Sequence, residues 1–220
     1  MTEYAKKESF TTPAGTFKWA SLGKPDTKYK AEGEYRITMS LPATNPATVK
    51  FIAKLDADYA TAVKAVKEQL ASEPKTKAKV KTVKTSNLPY KPELDQEGNE
   101  TGNILVNFKA KASGTRKDGT KWTFKPEVFD ARRIPIPSTV LIWGGSKGKV
   151  AYQVDSYYVS ASQEAGLSLK LQSAQILDLK TGRGKDAASF GFEEEEGYSG
   201  EPTGAESLGG EQAPSDGGDF

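Results

Sequence analysis

The hydrophobic period changes once along this chain, and that change limits the fold. From residue 34 to 41, Tyr35, Ile37, Met39 and Leu41 alternate with Arg36, Thr38 and Ser40. This is the two-residue repeat of a strand with one buried face, and Pro42 stops the ladder. Beyond Asn45-Pro46, the apolar residues Val49, Ile52, Leu55, Tyr59, Val63, Val66 and Leu70 step by three or four. That spacing predicts one helix, capped by Asn45, opened by Pro46 and ending near Ser72-Glu73-Pro74.

Elsewhere the alternation is that of strands. From Thr16 to Leu22, Phe17 and Trp19 oppose Lys18 and Ala20, and Lys24-Pro25-Asp26 ends the run. Val106, Phe108, Ala110 and Ala112 alternate with Asn107, Lys109 and Lys111. Asp118-Gly119 signals a type I′ hairpin into Lys121 to Val128. Thr139 to Trp143 and Lys149 to Val154 flank Gly144-Gly145-Ser146-Lys147-Gly148, which predicts a second hairpin. A last strand runs from Leu167 to Leu179, with a bulge near Ser173-Ala174 where the apolar parity breaks. Residues 75–84 hold five lysines and two valines and predict a basic loop, and 87–103 predicts a turn-rich excursion. Seven short strands and one inserted helix give a mainly β chain. Closure is how such a set avoids open edges, and a five-stranded Greek-key barrel with extra hairpins fits the count.

Charge divides the chain in two. Residues 193–220 hold nine acids and no Lys or Arg, including Glu193, Glu194, Glu195, Glu196 and Asp219 beside a terminal Phe220. With few aliphatic side chains to offset ordering entropy, this composition predicts a disordered acidic arm. The whole chain has 31 basic and 29 acidic residues, so without the nine tail acids residues 1–192 hold 31 against 20. A basic domain over 1–192 tethered to an acidic arm over 193–220 suggests a polyanion-binding surface that the arm can cover. A plain solubility tail is the alternative, and the terminal ring favours an anchor for a partner's pocket.

The chain has neither Cys nor His, which removes thiolate chemistry, cysteine zinc sites and the commonest general base and metal ligand. No compact acidic cluster in the body suggests a Mg²⁺ enzyme, so no catalytic residue, metal or cofactor is expected. Residues 144–150 fail the phosphate-loop pattern, with three residues rather than four before Gly-Lys and Val150 after it. No apolar run suits a membrane span and residues 1–10 lack a signal-peptide core, so a soluble intracellular protein is expected.

The remaining signal is cationic and aromatic residues interleaved on strands. Single-strand binders combine a basic groove for phosphates with rings on which bases stack. Lys6 and Lys7 form a basic lead-in, Lys109 and Lys111 share one strand face, and Arg36 lies on the polar face of its own. Tyr157 and Tyr158 close a strand that also carries Lys149 and Tyr152. Because strand neighbours point oppositely, one of the adjacent tyrosines should reach the surface.

In order and spacing the chain resembles the single-stranded DNA-binding proteins of T-seven-like podoviruses. The shared pieces are Ala5-Lys6-Lys7 with Phe10-Thr11, Gly15-Thr16, Lys24-Pro25-Asp26, the Tyr35 strand ending in Leu41-Pro42, and the long helix. Gly144-Gly145-Ser146-Lys147, the Leu167 to Leu179 strand and Asp219-Phe220 follow. The resemblance implies an OB-fold core, a homodimer, and binding of single-stranded DNA in replication, recombination, repair and strand annealing within the cytoplasm of an infected bacterium. It also implies an acidic tail that docks on the phage DNA polymerase and helicase-primase and competes with DNA for the groove. Carried over, the family's basic N-terminal pair falls on Lys6 and Lys7, a strand lysine on Lys109 and a groove tyrosine on Tyr157. One family basic position falls near Glu32 and is not transferred. A non-enzymatic assembly scaffold with a solubilising tail is the competing reading, and an RNA-binding barrel a third, since no residue pattern here specifies a 2′-hydroxyl contact.

Overall fold

The strand that the alternation marks most clearly is Glu34–Pro42, and the rest of the barrel is arranged on it. This is a computed structural model that describes residues 8–28, 30–116 and 118–180. In chain order the elements are β1 (Phe10–Thr11), β2 (Gly15–Asp26), β3 (Glu34–Pro42), α1 (Pro46–Ser72), a 3₁₀ segment (Lys77–Thr82), β4 (Lys84–Thr85) and β5 (Tyr90–Leu94). There follow β6 (Glu100–Lys111), β7 (Ser113–Thr115), β8 (Lys121–Thr123), β9 (Glu127–Phe129), β10 (Lys147–Val159) and β11 (Glu164–Asp178).

Five of these strands close on themselves. β2 pairs with β3 and β3 with β6, both antiparallel; β6 meets β11 in parallel; β11 pairs with β10, and β10 returns to β2, both antiparallel. The order β2-β3-β6-β11-β10 is that of an OB-like barrel. Inside it lie Tyr35, Ile37, Met39 and Leu41 of β3 with Phe17, Val106, Phe108, Val150, Tyr152, Leu169 and Leu171, all buried.

The helix begins where the sequence places it. The Asn45 side chain accepts a hydrogen bond from the Ala47 amide at 2.9 Å, Pro46 opens the first turn, and the helix ends at Ser72 before Pro74. Its buried stripe is Thr48, Phe51, Leu55, Ala62, Val63 and Val66, and α1 packs on β10 and β11. Val49, expected on that stripe, is exposed, because Thr48 takes the inward position. The Tyr90 hydroxyl donates to Asp56 Oδ1 at 2.6 Å and ties β5 to the helix.

Several sequence expectations change. β2 does not stop at Leu22 but continues through Pro25 to Asp26, across a register irregularity between Ser21 and Asp26 where a missing proline amide leaves no regular ladder bond broken. A second irregularity between Phe17 and Trp19 exchanges faces, so Trp19 is 62% exposed and Ala20 packs against the core instead. Residues 77–82 of the expected basic loop form the 3₁₀ segment, with its lysines exposed. The excursion 87–103 supplies β5 and the start of β6.

The Asp118-Gly119 hairpin exists, between β7 and β8, but it is not type I′. Gly119 alone of the two has positive φ, at 83°, and its amide donates to the Arg116 carbonyl at 3.0 Å, giving a longer loop with glycine in the left-handed position. The second expected hairpin is absent: 139–143 is not a strand, and the Gly144–Gly148 stretch locks onto β2. Gly145 N donates to Phe17 O and Phe17 N to Ser146 O, each at 2.8 Å, and Ser146 Oγ accepts from Lys180 N at 3.0 Å. Gly148 then presses on the Phe17 ring and the Gln175 carbonyl so closely that a Cβ would overlap both. The bulge on the last strand is real and falls at Gln172, since Ala151 pairs with Ser173 and Tyr152 with Leu171. Among the described residues no helix is long and apolar enough to cross a membrane.

Candidate nucleic-acid interface

The outer face of the barrel gathers cations from strands distant in sequence. The registers pair Arg36 of β3 with Lys109 of β6, Lys109 with Lys170 of β11, and Lys170 with Gln153 of β10. Adjacent strands lie about 4.8 Å apart, so three cationic side chains stand in one row across roughly 10 Å. Like charges in register repel, and an anion laid along the row relieves that repulsion. Arg36 is part-buried; its Nη2 lies 3.2 Å from Asp26 Oδ2, and its Nε is buried without a partner. Lys109 and Lys170 are exposed and form no ion pair with a described residue. Lys111, one step along β6, has Glu32 Oε2 at 3.7 Å.

The row opens into a concavity of about 330 Å³ whose lining includes Lys30, Lys109, Lys111, Trp122, Asp155 and Lys170. Trp122 comes from β8, and its indole lies against Gly114 of β7 across the hairpin. A half-buried ring at the rim of a lysine-lined hollow has one face for packing and one for a ligand.

The adjacent tyrosines separate as strand parity requires. Tyr157 stands opposite Gly166 and is 36% exposed, with its hydroxyl in the space a side chain at Gly166 would fill. It shares the outer face of β10 with Gln153 and Asp155, and lies four residues, about 13 Å, along the strand from the cation row. Tyr158 turns the other way. It packs beside Val63, Val66 and Ala165 under α1, and its hydroxyl is buried without a partner, so it is not a surface platform. Tyr152, expected as a stacking residue, is a core residue with no exposed surface. Its ring centroid lies 5.4 Å from that of Phe108, 5.9 Å from Phe10 and 6.0 Å from Phe51, which leaves no room for a base. Lys6 and Lys7 lie outside the described residues, as do Glu193, Glu194, Glu195, Glu196, Asp219 and Phe220.

Farther along the polar face of β3, a buried carboxylate holds that face in place. Glu93 of β5 is 6% exposed and accepts from Ser40 Oγ at 2.6 Å and Asn103 Nδ2 at 3.1 Å, with Lys18 Nζ at 2.6 Å. Burial acts to raise its pKa, but the hydrogen bonds from Lys18, Ser40 and Asn103 outweigh it and hold the carboxyl below its ordinary range. Lys18 is thereby committed to Glu93 and does not join the free cations.

Sequence reasoning missed Lys170 and Trp122. Lys170 occupies the polar slot of Leu167-Ser168-Leu169-Lys170-Leu171, so its outward direction is written in the alternation, but its place beside Lys109 depends on a parallel pairing of one register. Residues 14–179, which hold all five barrel strands, α1 and the whole cation row, match the family described as "Single-stranded DNA-binding protein, Bacteriophage T7".

The chain belongs to this family.

Among its relatives, the single-stranded DNA-binding protein of Enterobacteria phage T3 is 27% identical over 201 residues, spanning 87% of this chain and 85% of that protein. That of Escherichia phage T7 is 26% identical over 201 residues, with the same coverage. The crystal structure of gp2.5, a single-stranded DNA-binding protein encoded by bacteriophage T7, superposes with a TM-score of 0.66 at 24% identity, covering 89% of this chain and 100% of that one. The single-stranded DNA-binding protein of bacteriophage Enc34 in complex with ssDNA gives a TM-score of 0.50 at 13% identity, over 80% of this chain and 89% of that one. These structural likenesses concern the fold.

Proposed function

We propose that this family member is a single-stranded DNA-binding protein that uses an OB-fold barrel over residues 1–192, holding phosphates along the Arg36–Lys109–Lys170 row with Lys111 beside it. Tyr157 and Trp122 offer rings for bases. The observation that carries the reading is the row itself: three cations in register on adjacent strands, two of them without a described acidic partner, bordered by half-exposed aromatic residues. A sequence-tolerant single-strand site needs this combination, a cationic track with stacking faces that accept any base.

On this reading the protein has no catalytic step. It coats and anneals single strands in phage replication, recombination and repair inside the infected bacterial cell, as a homodimer. Residues 193–220 serve as an acidic arm that competes with DNA for the row and, through Asp219-Phe220, recruits the phage polymerase and helicase-primase. Support for the arm comes from the charge division of the sequence, and support for the DNA site from family membership and the face geometry.

The test is a tryptophan-fluorescence titration with oligo-dT, duplex DNA and oligo-U at two salt concentrations, on the full chain and on a chain ending at Phe192. Tighter binding of oligo-dT than duplex, weakened by salt and strengthened by loss of the arm, is the expected result. Absence of binding to any nucleic acid at low salt overturns the reading in favour of a protein scaffold, and preference for oligo-U redirects it to RNA.

A further inference from the structure

A second cationic and aromatic cluster lies farther along the same outer surface. The bulge at Gln172 resets the parity of β11, so that Ser173 and Gln175 turn outward as Lys170 does, beside Ala151 and Lys149 of β10. Here β9 replaces β6 as the parallel neighbour of β11, with Phe129 paired to Gln175. Thr11, Phe129, Arg133, Lys149, Ser173 and Gln175 line an open cavity of about 350 Å³. Neither Arg133 nor Lys149 forms an ion pair with a described residue.

The loop that carries Arg133 is built to hold one shape. The Asp130 carboxylate accepts from the amides of Arg132 and Ile134, both at 2.8 Å, and Asp130 N donates to Ile134 O at 2.9 Å. Gln175 Nε2 donates to the Asp130 and Ala131 carbonyls at 3.2 Å each, tying the loop to β11. Arg133 is held at φ 69°, a left-handed conformation uncommon for a residue with a Cβ. Such strain persists where surrounding bonds over-determine it, and it concentrates at binding sites.

We propose that this cavity is a second nucleotide subsite, in which Arg133 and Lys149 take a backbone phosphate and the Phe129 ring takes the neighbouring base. The inference rests on the single-strand reading above and extends its path. Lys170 and Gln175 are five residues apart on one strand, about 17 Å, so a single strand crossing the Lys109–Lys170 row runs along the β10–β11 ledge into the cavity. Two cations without a described carboxylate, one ring and a preformed loop match a phosphodiester with its base better than they match a carboxylate metabolite, which would leave the ring unused. Gln175 is a positioning residue here, since it acts on the loop.

The experiment measures affinity and salt dependence of the full chain for oligo-dT of about four and about sixteen nucleotides, the ends of the range one such domain covers. Arg133→Asn keeps a residue that tolerates the left-handed backbone, Lys149→Gln removes the second charge, and the two are combined. On the long oligonucleotide the slope of log K against log salt should fall by about 0.7, the value for one lost single-strand phosphate, while the short one binds as before. Phe129→Leu, which keeps an apolar side chain on β9, should weaken the long oligonucleotide about fivefold or more. If the double variant binds the long oligonucleotide with the parent's slope and affinity, the subsite is refuted while the central row stands. If the unmodified chain binds neither oligonucleotide, the single-strand reading itself has failed.

Discussion

Tyr152 and Tyr157 lie on the same strand, five residues apart, and the structure assigns them opposite consequences. Tyr152 has no exposed surface and meets three rings within 6.0 Å. Truncating it to Ala removes a large aromatic group from a packed core, at about 3–5 kcal/mol. For a domain of this size each kcal/mol moves the melting temperature by about 2–4 °C, so Tyr152→Ala should melt about 6–20 °C lower. Tyr157 is 36% exposed and rests over Gly166, so Tyr157→Ala should cost about 1 kcal/mol or less of stability. Its effect belongs on DNA. A lost base stack is worth about 1–3 kcal/mol, which is roughly a fivefold to hundredfold loss of affinity for oligo-dT. Both variants are melted by circular dichroism, then titrated with oligo-dT at one salt concentration and a temperature at which each is folded. The reasoning is refuted if Tyr157→Ala melts as early as Tyr152→Ala, or if it binds oligo-dT as tightly as the parent.

Other expectations follow from single residues. Lys170→Gln should reduce the salt slope of oligo-dT binding by about 0.7 and leave the melting temperature nearly unchanged, read by titration over a salt series. The Glu93 carboxyl, held below its usual value of 4.5, contributes stability that is present above that pH and disappears as pH falls through its folded pKa. Glu93→Gln should therefore destabilise by about 1–3 kcal/mol near neutrality, with the gap to the parent closing in acid denaturation below about pH 4.5; a gap that stays constant with pH counts against the charge-assisted network. Lys18 is 42% exposed, so solvent screens part of its share. Gly148→Ala should cost about 1–3 kcal/mol through overlap with Phe17 and Gln175, seen as a lower urea midpoint at unchanged slope.

The parts legible in the sequence are those where one period persists. In β3 the alternation runs unbroken and each inward residue is buried; in α1 the Asn45-Pro46 start and the Pro74 stop bracket the helix. Trp19 was misplaced because a one-residue irregularity reverses the faces of β2, and nothing in Phe17-Lys18-Trp19 announces it. Tyr152 was legible in principle. It has the parity of Val150 and Val154, whereas Tyr157 has that of Lys149, Gln153 and Asp155. What sequence could not supply was the meeting of distant strands: β9 has three residues and pairs in parallel with β11, and the Lys109–Lys170 contact depends on a parallel register set by barrel closure.

That closure also governs how the chain reaches its folded state. β2 is synthesised well before β10, yet β10 is one of its two barrel neighbours, through the pairing of Thr16 with Lys147, and β10 in turn needs β11. Until the end of β11 emerges, the edge of β2 and the part of β6 beyond its pairing with β5 stay open, and α1 lacks the β10 and β11 surfaces on which it packs. A barrel in which the first strand pairs with the fourth and the third with the fifth carries a high average sequence separation between contacts, which slows folding and prolongs the exposure of those edges. The same geometry makes the cation row an all-or-none assembly. Lys170 joins Arg36 and Lys109 only once β11 has paired with β6, so on the proposed reading a chain made only as far as β10 has no complete track.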